Sequence, residues 1–167
     1  MKAQLINRFG EPDVFDLTEV DSPAAGPGEV LVRVAVSAVN PLDAKIRSGA
    51  MSEMFPTEFP AILGSEIAGV VEAAGEGVTQ PAVGDRVVGF ARGGGYAELV
   101  VTAPDRLAVV PDDLTLTRAA TVPTAAETAQ RALALIDVRP GETVVVNAAA
   151  GSVGGAACSC WRRPARG

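Results

Sequence analysis

Hydrophobic and polar residues alternate over short runs between Met1 and about Leu107, and turn-forming residues separate these runs. Gly26-Pro27-Gly28 and Gly93-Gly94-Gly95 are two of the turn clusters. Period-two alternation over so few residues indicates half-buried β-strands. The predicted strands are 29–39, 66–74, 85–90, 96–102 and 107–110. Many short strands with turn signals between them are typical of a closed or partly closed antiparallel barrel.

Two regions depart from this pattern and predict helices. A short helix fits residues 41–47, with Asn40 as its N-cap and a proline at its first position. Residues 115–136 are rich in alanine, leucine and threonine at helical spacing, with an interruption near Pro123. The pattern therefore predicts a β-rich domain over residues 1–114, followed by a region of different character.

A glycine-containing motif follows the helical region. Residues 142–147 form a short valine-rich run that leads into the small residues 148–157. A buried strand, a small-residue turn and a helix start together hold a dinucleotide pyrophosphate, because glycine lets the backbone approach the phosphates and the helix N-terminus offers N–H groups. The candidate cofactor-binding residues are Ala150, Gly151, Ser152, Val153 and Gly154. Since the chain has 18 glycines, a tight strand-to-helix connection without a ligand also explains this spacing.

Composition narrows the classes of partner. A hydrophobic fraction of 48% supports a packed core, and a net charge of −6 argues against nucleic acid or an anionic membrane surface as partner. No apolar run has the length of a membrane span, and the N-terminus lacks the apolar stretch of a secretory signal. We therefore expect a cytoplasmic protein without a membrane partner. Cys158 and Cys160 are too few for a structural zinc site and are interpreted as free thiols.

Six segments, taken in order, resemble the medium-chain dehydrogenase/reductases, and within them the zinc-free quinone oxidoreductase branch. The segments are GEVLVRV (28–34), NPLDAKIRSG (40–49), FPAILGSEIAGVV (59–71), VGDRV (83–87), GGYAE (94–98) and AAAGSVG (148–154). The resemblance implies a mixed β and α/β fold. A GroES-like β-barrel domain over residues 1–114 would be followed, over 115–157, by the first βα unit of a truncated Rossmann domain.

The resemblance also implies an activity, which is hydride transfer from NADPH to a quinone or an α,β-unsaturated carbonyl in the cleft between the two domains. NADP is inferred from the resemblance alone, and NAD is not excluded. Asn40, Asp43 and Lys45 resemble residues that line the nicotinamide end of that cleft, and Thr128 resembles a helix threonine near the nicotinamide ribose and carboxamide. Full-length relatives are expected to form oligomers, and the oligomeric state of this chain is left open.

These residues have simpler explanations as well. Asn40 is a preferred helix cap, and Asp43 and Lys45, two positions apart on a helix, point away from each other and fit solvated charges. The ligands of a catalytic zinc are missing from the sequence, which has no histidine and no cysteine before residue 158. Because such a zinc needs about three protein ligands, we predict a mechanism without zinc and no metal site.

The last ten residues, 158–167, have a composition unlike the helix that the resemblance leads us to expect. They hold both cysteines, the sole tryptophan and three of the 14 basic residues. We hypothesise that a single-base frameshift produces this tail. Since a Rossmann domain needs several further strands, we expect this chain to be inactive alone. The alternative function is that of a non-catalytic remnant in which only the barrel persists.

Overall fold

The computed structural model describes residues 1–139 and 141–161. The strands are β1 (Lys2–Ile6), β2 (Phe15–Glu19), β3 (Val30–Ser37), β4 (Ala61–Ile62), β5 (Glu66–Ala74), β6 (Arg86–Phe90), β7 (Leu99–Thr102) and β8 (Leu107–Val109). The helices are α1 (Pro41–Arg47), α2 (Leu116–Ala119), α3 (Pro123–Leu135) and α4 (Ser152–Trp161). The chain forms two compact units that divide after Ala120, and each is described by itself.

The first unit is built from two antiparallel sheets. The strand order is β2-β1-β4 in the three-stranded sheet and β7-β3-β5-β6-β8 in the five-stranded sheet. An isolated bridge links Ala3 on β1 to Ala97, two residues before β7, and beside it the N–H of Gln4 donates a 2.8 Å hydrogen bond to the carbonyl of Tyr96. This arrangement agrees with the predicted antiparallel β domain.

The main hydrophobic core lies on one face of the five-stranded sheet and consists largely of β-branched residues. Val30 and Val32 on β3 point into it because side chains two positions apart share a face of a strand. Its buried members are Val30, Val32, Ile67, Val71, Val87, Ala91 and Val100. A second cluster of Ile6, Val14 and Leu63 lies beside β1 and β4. Valine and isoleucine suit this surface, since their branched side chains pack well on a pleated sheet.

The predicted strands in the first unit are found, with ends that differ by up to three residues. Helix α1 has the predicted limits, and the predicted helical region 115–136 contains α2 and α3 with a break before Pro123. The sequence pattern does not predict β1, β2 and β4. β2 has four exposed residues and an acidic sequence, and β4 has two residues, so neither carries a clear alternating pattern. The predicted domain limits of 114 and 157 stay predictions, although α2 packs on β3, β5 and β6.

The second unit differs from its prediction. The expected strand at 142–147 is wrong, because residues 142–146 have no strand structure and the side chain of Val145 is 89% exposed. Between residues 121 and 161, as far as they are described, no strand is present, so this run has no neighbour with which to form a ladder. Helices α3 and α4 pack together, and α4 begins at Ser152, inside the small-residue motif as expected. Residues 162–167 of the predicted tail lie outside the described residues.

None of the helices in the described ranges combines the length and the apolar character that crossing a membrane requires.

The contrast between the two units leads to a stability prediction. Ile67 is fully buried in the core of the five-stranded sheet, and we expect Ile67→Ala to lower the free energy of unfolding by about 2–5 kcal/mol. Val145→Ala is the matched control and should change the free energy by less than about 0.5 kcal/mol, because this side chain is already exposed. Urea denaturation followed by circular dichroism measures both. A loss of similar size for Val145→Ala would show that residues 142–146 are a buried strand after all.

Candidate functional site

The N-terminus of α1 is closed by two of the predicted site residues. Asn40 has an extended backbone conformation, and its N–H donates a 2.7 Å hydrogen bond to Oδ2 of Asp43. Asp43 lies at the third helical position and forms a capping box with Asn40. Its side chain is 6% exposed, and its negative charge lies at the positive end of the helix dipole. The interpretation of Asn40 as a helix cap is therefore confirmed.

A third polar residue joins this cap from the five-stranded sheet. Glu66 is the first residue of β5, and its side chain is 2% exposed. The side-chain amide Nδ2 of Asn40 donates a 2.8 Å hydrogen bond to Oε2 of Glu66. A buried carboxylate needs such partners, because it loses its hydration on burial. We call Asn40, Asp43 and Glu66 the acidic cap cluster.

Glu66 is absent from the predicted site residues. The signal in the sequence is a charged residue directly before the apolar run IAGVV, where burial of the strand predicts an unusual environment for a carboxylate. Its partner Asn40 lies 26 positions away in the chain, so the contact itself depends on the pairing of β3 with β5.

Tyr96 lies next to the acidic cap cluster. Its ring packs on Gly64, whose positive φ and close contact exclude a side chain there, since an added Cβ would overlap the ring. The Tyr96 hydroxyl is buried and makes no hydrogen bond of normal geometry with the described residues. Burial first, and then the negative charge of Asp43, raise the pKa of the Tyr96 hydroxyl far above its ordinary value of 10.0, since both disfavour the phenolate.

The third predicted residue of α1 is in a different environment. Lys45 is exposed, whereas Asp43, two positions earlier, is buried. This agrees with the expectation that the two side chains point away from each other on the helix. The structure therefore brings Asn40 and Asp43 together with Glu66, and leaves Lys45 at the surface of α1.

An open groove of about 630 Å³ lies on the first unit between β1, β2 and the end of β3. Its walls are mostly apolar and include Phe15, Leu17, Val34, Val39 and Tyr96. None of the predicted site residues lines it. Through Tyr96 the groove adjoins the acidic cap cluster without including it.

The predicted cofactor residues all lie in the second unit. Thr128 is exposed on α3, and Ala150, Gly151, Ser152 and Val153 are exposed at the turn into α4. The N–H of Gly151 donates a 2.9 Å hydrogen bond to the carbonyl of Ala148, so this amide is already used. The first amides of α4 itself are those that a helix leaves without an intrahelical acceptor. They provide the donor set that a pyrophosphate requires.

Gly154 is required by the turn itself. A Cβ added there would overlap the carbonyl of Ala148, and Ala148 has a φ of 54°, in the left-handed region. A Cβ added at Gly155, one position later, would lie at an ordinary 3.6 Å from the carbonyl of Ala149. The backbone of the turn thus comes close to the helix at Gly154, as both interpretations of the glycine motif demand.

Among the residues that the structure describes, no group of three or more histidine, cysteine, aspartate or glutamate side chains is placed to hold a metal ion.

Comparison with known proteins identifies the class. Residues 26–112, over half of the chain, match the family model of the alcohol dehydrogenase GroES-like domain. The chain therefore belongs to this family, within the medium-chain dehydrogenase/reductase superfamily.

Similar proteins extend the comparison beyond the matched domain. Quinone oxidoreductase from Rattus norvegicus is 37% identical over 165 residues, which are 97% of this chain and 50% of the rat protein. The structure of human synaptic vesicle membrane protein VAT-1 homolog-like protein matches with a TM-score of 0.88 and 32% identity, over 96% of this chain and 52% of that one. Escherichia coli quinone oxidoreductase complexed with NADPH matches with a TM-score of 0.83 and 29% identity, over 96% and 49%. The chain spans about half the length of these relatives.

The environment of Tyr96 can be measured directly, because it is the only tyrosine in the chain. In an ultraviolet titration of the folded protein, we expect tyrosinate to form only above pH 10.0, the ordinary pKa. A folded-state pKa above the unfolded one stabilises the fold below pH 10.0, and this contribution is lost as pH rises towards the folded pKa. In denaturant the same hydroxyl should titrate with a pKa of about 10. A folded-state pKa at or below that value would show that the hydroxyl is solvated and away from Asp43.

Proposed function

We propose that this chain belongs to an NADPH-dependent, zinc-free oxidoreductase that reduces a quinone or an α,β-unsaturated carbonyl. The proposal is supported by the match to quinone oxidoreductases and to a structure of one complexed with NADPH. The observation that carries it for this chain is the turn into α4, where Gly154 approaches the carbonyl of Ala148 and the helix starts at Ser152. A bound NADPH would supply the hydride.

The roles proposed for the residues come from the family resemblance and agree with the following positions. The first amides of α4, at Ser152, Val153 and Gly154, would bind the pyrophosphate, with Ala150 and Gly151 forming the turn and Thr128 near the nicotinamide ribose. Asn40 and Asp43 would orient the nicotinamide and the carbonyl of the substrate. Lys45, as an exposed cation on α1, would attract the negatively charged cofactor or polarise a substrate oxygen.

Three finer features belong to this proposal. NADP is preferred to NAD because the structure of a similar quinone oxidoreductase is complexed with NADPH. The mechanism needs no zinc, since the sequence lacks histidine and its two cysteines, Cys158 and Cys160, both lie in α4. A cytoplasmic location is supported by the small number of cysteines and by both of them being free.

Two neighbouring glycines test the cofactor site. We expect Gly154→Ala to weaken NADPH binding by on the order of tenfold or more, because the turn must move to admit the new Cβ. Gly155→Ala is the matched control and should bind NADPH as the wild type does, because its Cβ meets only an ordinary contact. Titration of NADPH fluorescence gives the dissociation constants. Equal binding by the two variants would remove the α4 turn from the cofactor site.

The rival proposal is a protein in which the barrel folds and no turnover takes place. It is favoured by the second unit, where Ala129 is the one buried hydrophobic residue among those described and residues 142–146 form no strand. Ordering such a segment on binding costs about 1–2 kcal/mol for each residue fixed. We therefore expect the chain alone to bind NADPH weakly, at roughly millimolar strength, and not to oxidise it in the presence of a quinone. Low-micromolar binding or turnover above the protein-free rate would decide for the enzyme.

The zinc-free assignment has its own test. Purified protein should contain no stoichiometric zinc, because about three Cys, His or carboxylate ligands are needed and the sequence lacks histidine. Elemental analysis before and after treatment with a chelator measures the content. One zinc ion per chain that resists the chelator would overturn this part of the proposal.

A further inference from the structure

The proposed chemistry does not use the buried carboxylate of Glu66. This carboxylate nevertheless accepts a hydrogen bond from Asn40, which the proposed chemistry does use. It lies at the start of β5, and its Oε2 accepts the 2.8 Å hydrogen bond from Nδ2 of Asn40. The two residues belong to different elements, so this bond links the five-stranded sheet to the first turn of α1. The Glu66 end of this bond is shielded from water, since Glu66 is 2% exposed, whereas Asn40 is half-buried.

The bond also settles the orientation of the Asn40 amide. An ionised carboxylate only accepts hydrogen bonds, so Asn40 must turn its NH₂ group to Glu66 and its Oδ1 away from it. Oδ1 of Asn40 faces the N–H of Asp43 in the capping box, so both ends of the amide have a partner. Glu66 therefore holds the NH₂ end of the amide, and the helix cap holds the oxygen end.

The backbone of Asn40 is held in place by α1. The N–H of Asn40 donates its 2.7 Å hydrogen bond to Asp43, which is itself buried. Asn40 is thus fixed at its side chain by the sheet and at its backbone by the helix. Loss of the Glu66 bond would leave the Asn40 side chain held by the helix cap alone.

We propose that Glu66 is a positioning residue that orients Asn40 towards the nicotinamide, an inference that rests on the function proposed above. It acts through Asn40 and does not itself touch the cofactor or the substrate. Two consequences distinguish this role from general support of the fold. The motion of the Asn40 amide must depend on Glu66, and any effect of Glu66 on NADPH binding must disappear when Asn40 is absent.

The first consequence is measured in the chain itself by nuclear magnetic resonance. The chain has three asparagines, Asn7, Asn40 and Asn147, so their side-chain amide signals can be assigned by mutation. Asn7 is an internal reference, because its amide makes an exposed 3.5 Å hydrogen bond to Asp16. We expect the Asn40 amide protons to exchange with water on the order of tenfold more slowly than those of Asn7. Exchange at equal rates in the wild type would overturn the proposal.

Glu66→Met removes the acceptor at similar volume, and Glu66→Leu is the second variant if the first does not fold. Either should speed exchange at Asn40 to the rate of Asn7, whereas Glu66→Gln keeps an acceptor oxygen and should restore slow exchange. Glu72→Gln is the matched control on β5, where Glu72 pairs with Arg33 at the surface. It should leave the Asn40 signals unchanged. Slow exchange at Asn40 in a folded Glu66→Met or Glu66→Leu protein would contradict the inference.

The second consequence is measured by a double-mutant cycle on NADPH binding, followed by the same signals. Glu66→Met should raise the dissociation constant about three- to tenfold, and Asn40→Ala should raise it at least as much. The double variant should match Asn40→Ala alone, because the proposed effect of Glu66 on NADPH binding acts through Asn40. Effects that multiply would show that Glu66 acts independently of Asn40 and would overturn the proposal.

Failure of the proposed function gives a different result. If the wild type and Gly154→Ala bind NADPH equally, the cofactor assignment fails while the exchange rates still report on Glu66 and Asn40. If NADPH binds and the exchange rates do not depend on Glu66, the positioning role fails and the proposed function stands.

Discussion

The register between β3 and β5 is the constraint on which the candidate site depends. Ser37 pairs with Ile67 at the end of this ladder, and the N–H of Ala38 then donates a 3.0 Å hydrogen bond to the backbone carbonyl of Glu66. This bond places Asn40, two residues later, within reach of the Glu66 side chain. A slip of one residue would turn every side chain of the strand to the opposite face and would expose the Glu66 carboxylate to the wrong side. The core residue Ile67 and the site residue Glu66 are therefore fixed by the same hydrogen bonds.

Gly69 on β5 supports the register between β3 and β5. The β3–β5 ladder contains irregularities between Val34 and Val36, and Gly69 lies directly opposite this region. A side chain at Gly69 would overlap the carbonyl of Arg33, so glycine permits the close approach of the two backbones. Bulges of this kind bend a strand and increase its twist. β3 ends at Ser37, shortly after this irregularity, and α1 begins at Pro41, where the acidic cap cluster forms.

Much of this could be predicted from the sequence because local patterns decide it. Alternation of valine with other residues identifies β3, and asparagine followed by proline identifies the start of α1. The bond between Asn40 and Glu66 could not be predicted in the same way, since it joins residues 26 positions apart and depends on the strand register. The strand predicted at 142–147 is wrong because its local pattern is present and, in the described part of the chain, its pairing partner is not. Three consecutive valines carry the β propensity, but a strand exists only where a neighbouring strand accepts its hydrogen bonds.

The proposed functional residues are thus held in place by contacts of different strength. Asn40 and Asp43 are held by partly buried hydrogen bonds to each other and to Glu66, and such a site keeps its geometry before any ligand arrives. The residues from Ala150 to Val153 are exposed at a turn that is fixed mainly by the contact between Gly154 and Ala148. A ligand that contacted both sets of residues would find Asn40 and Asp43 already ordered. It would have to order much of the turn before α4. Under the proposed function, the second unit limits the affinity for the cofactor, whereas Asn40 and Asp43 of the first unit are already arranged.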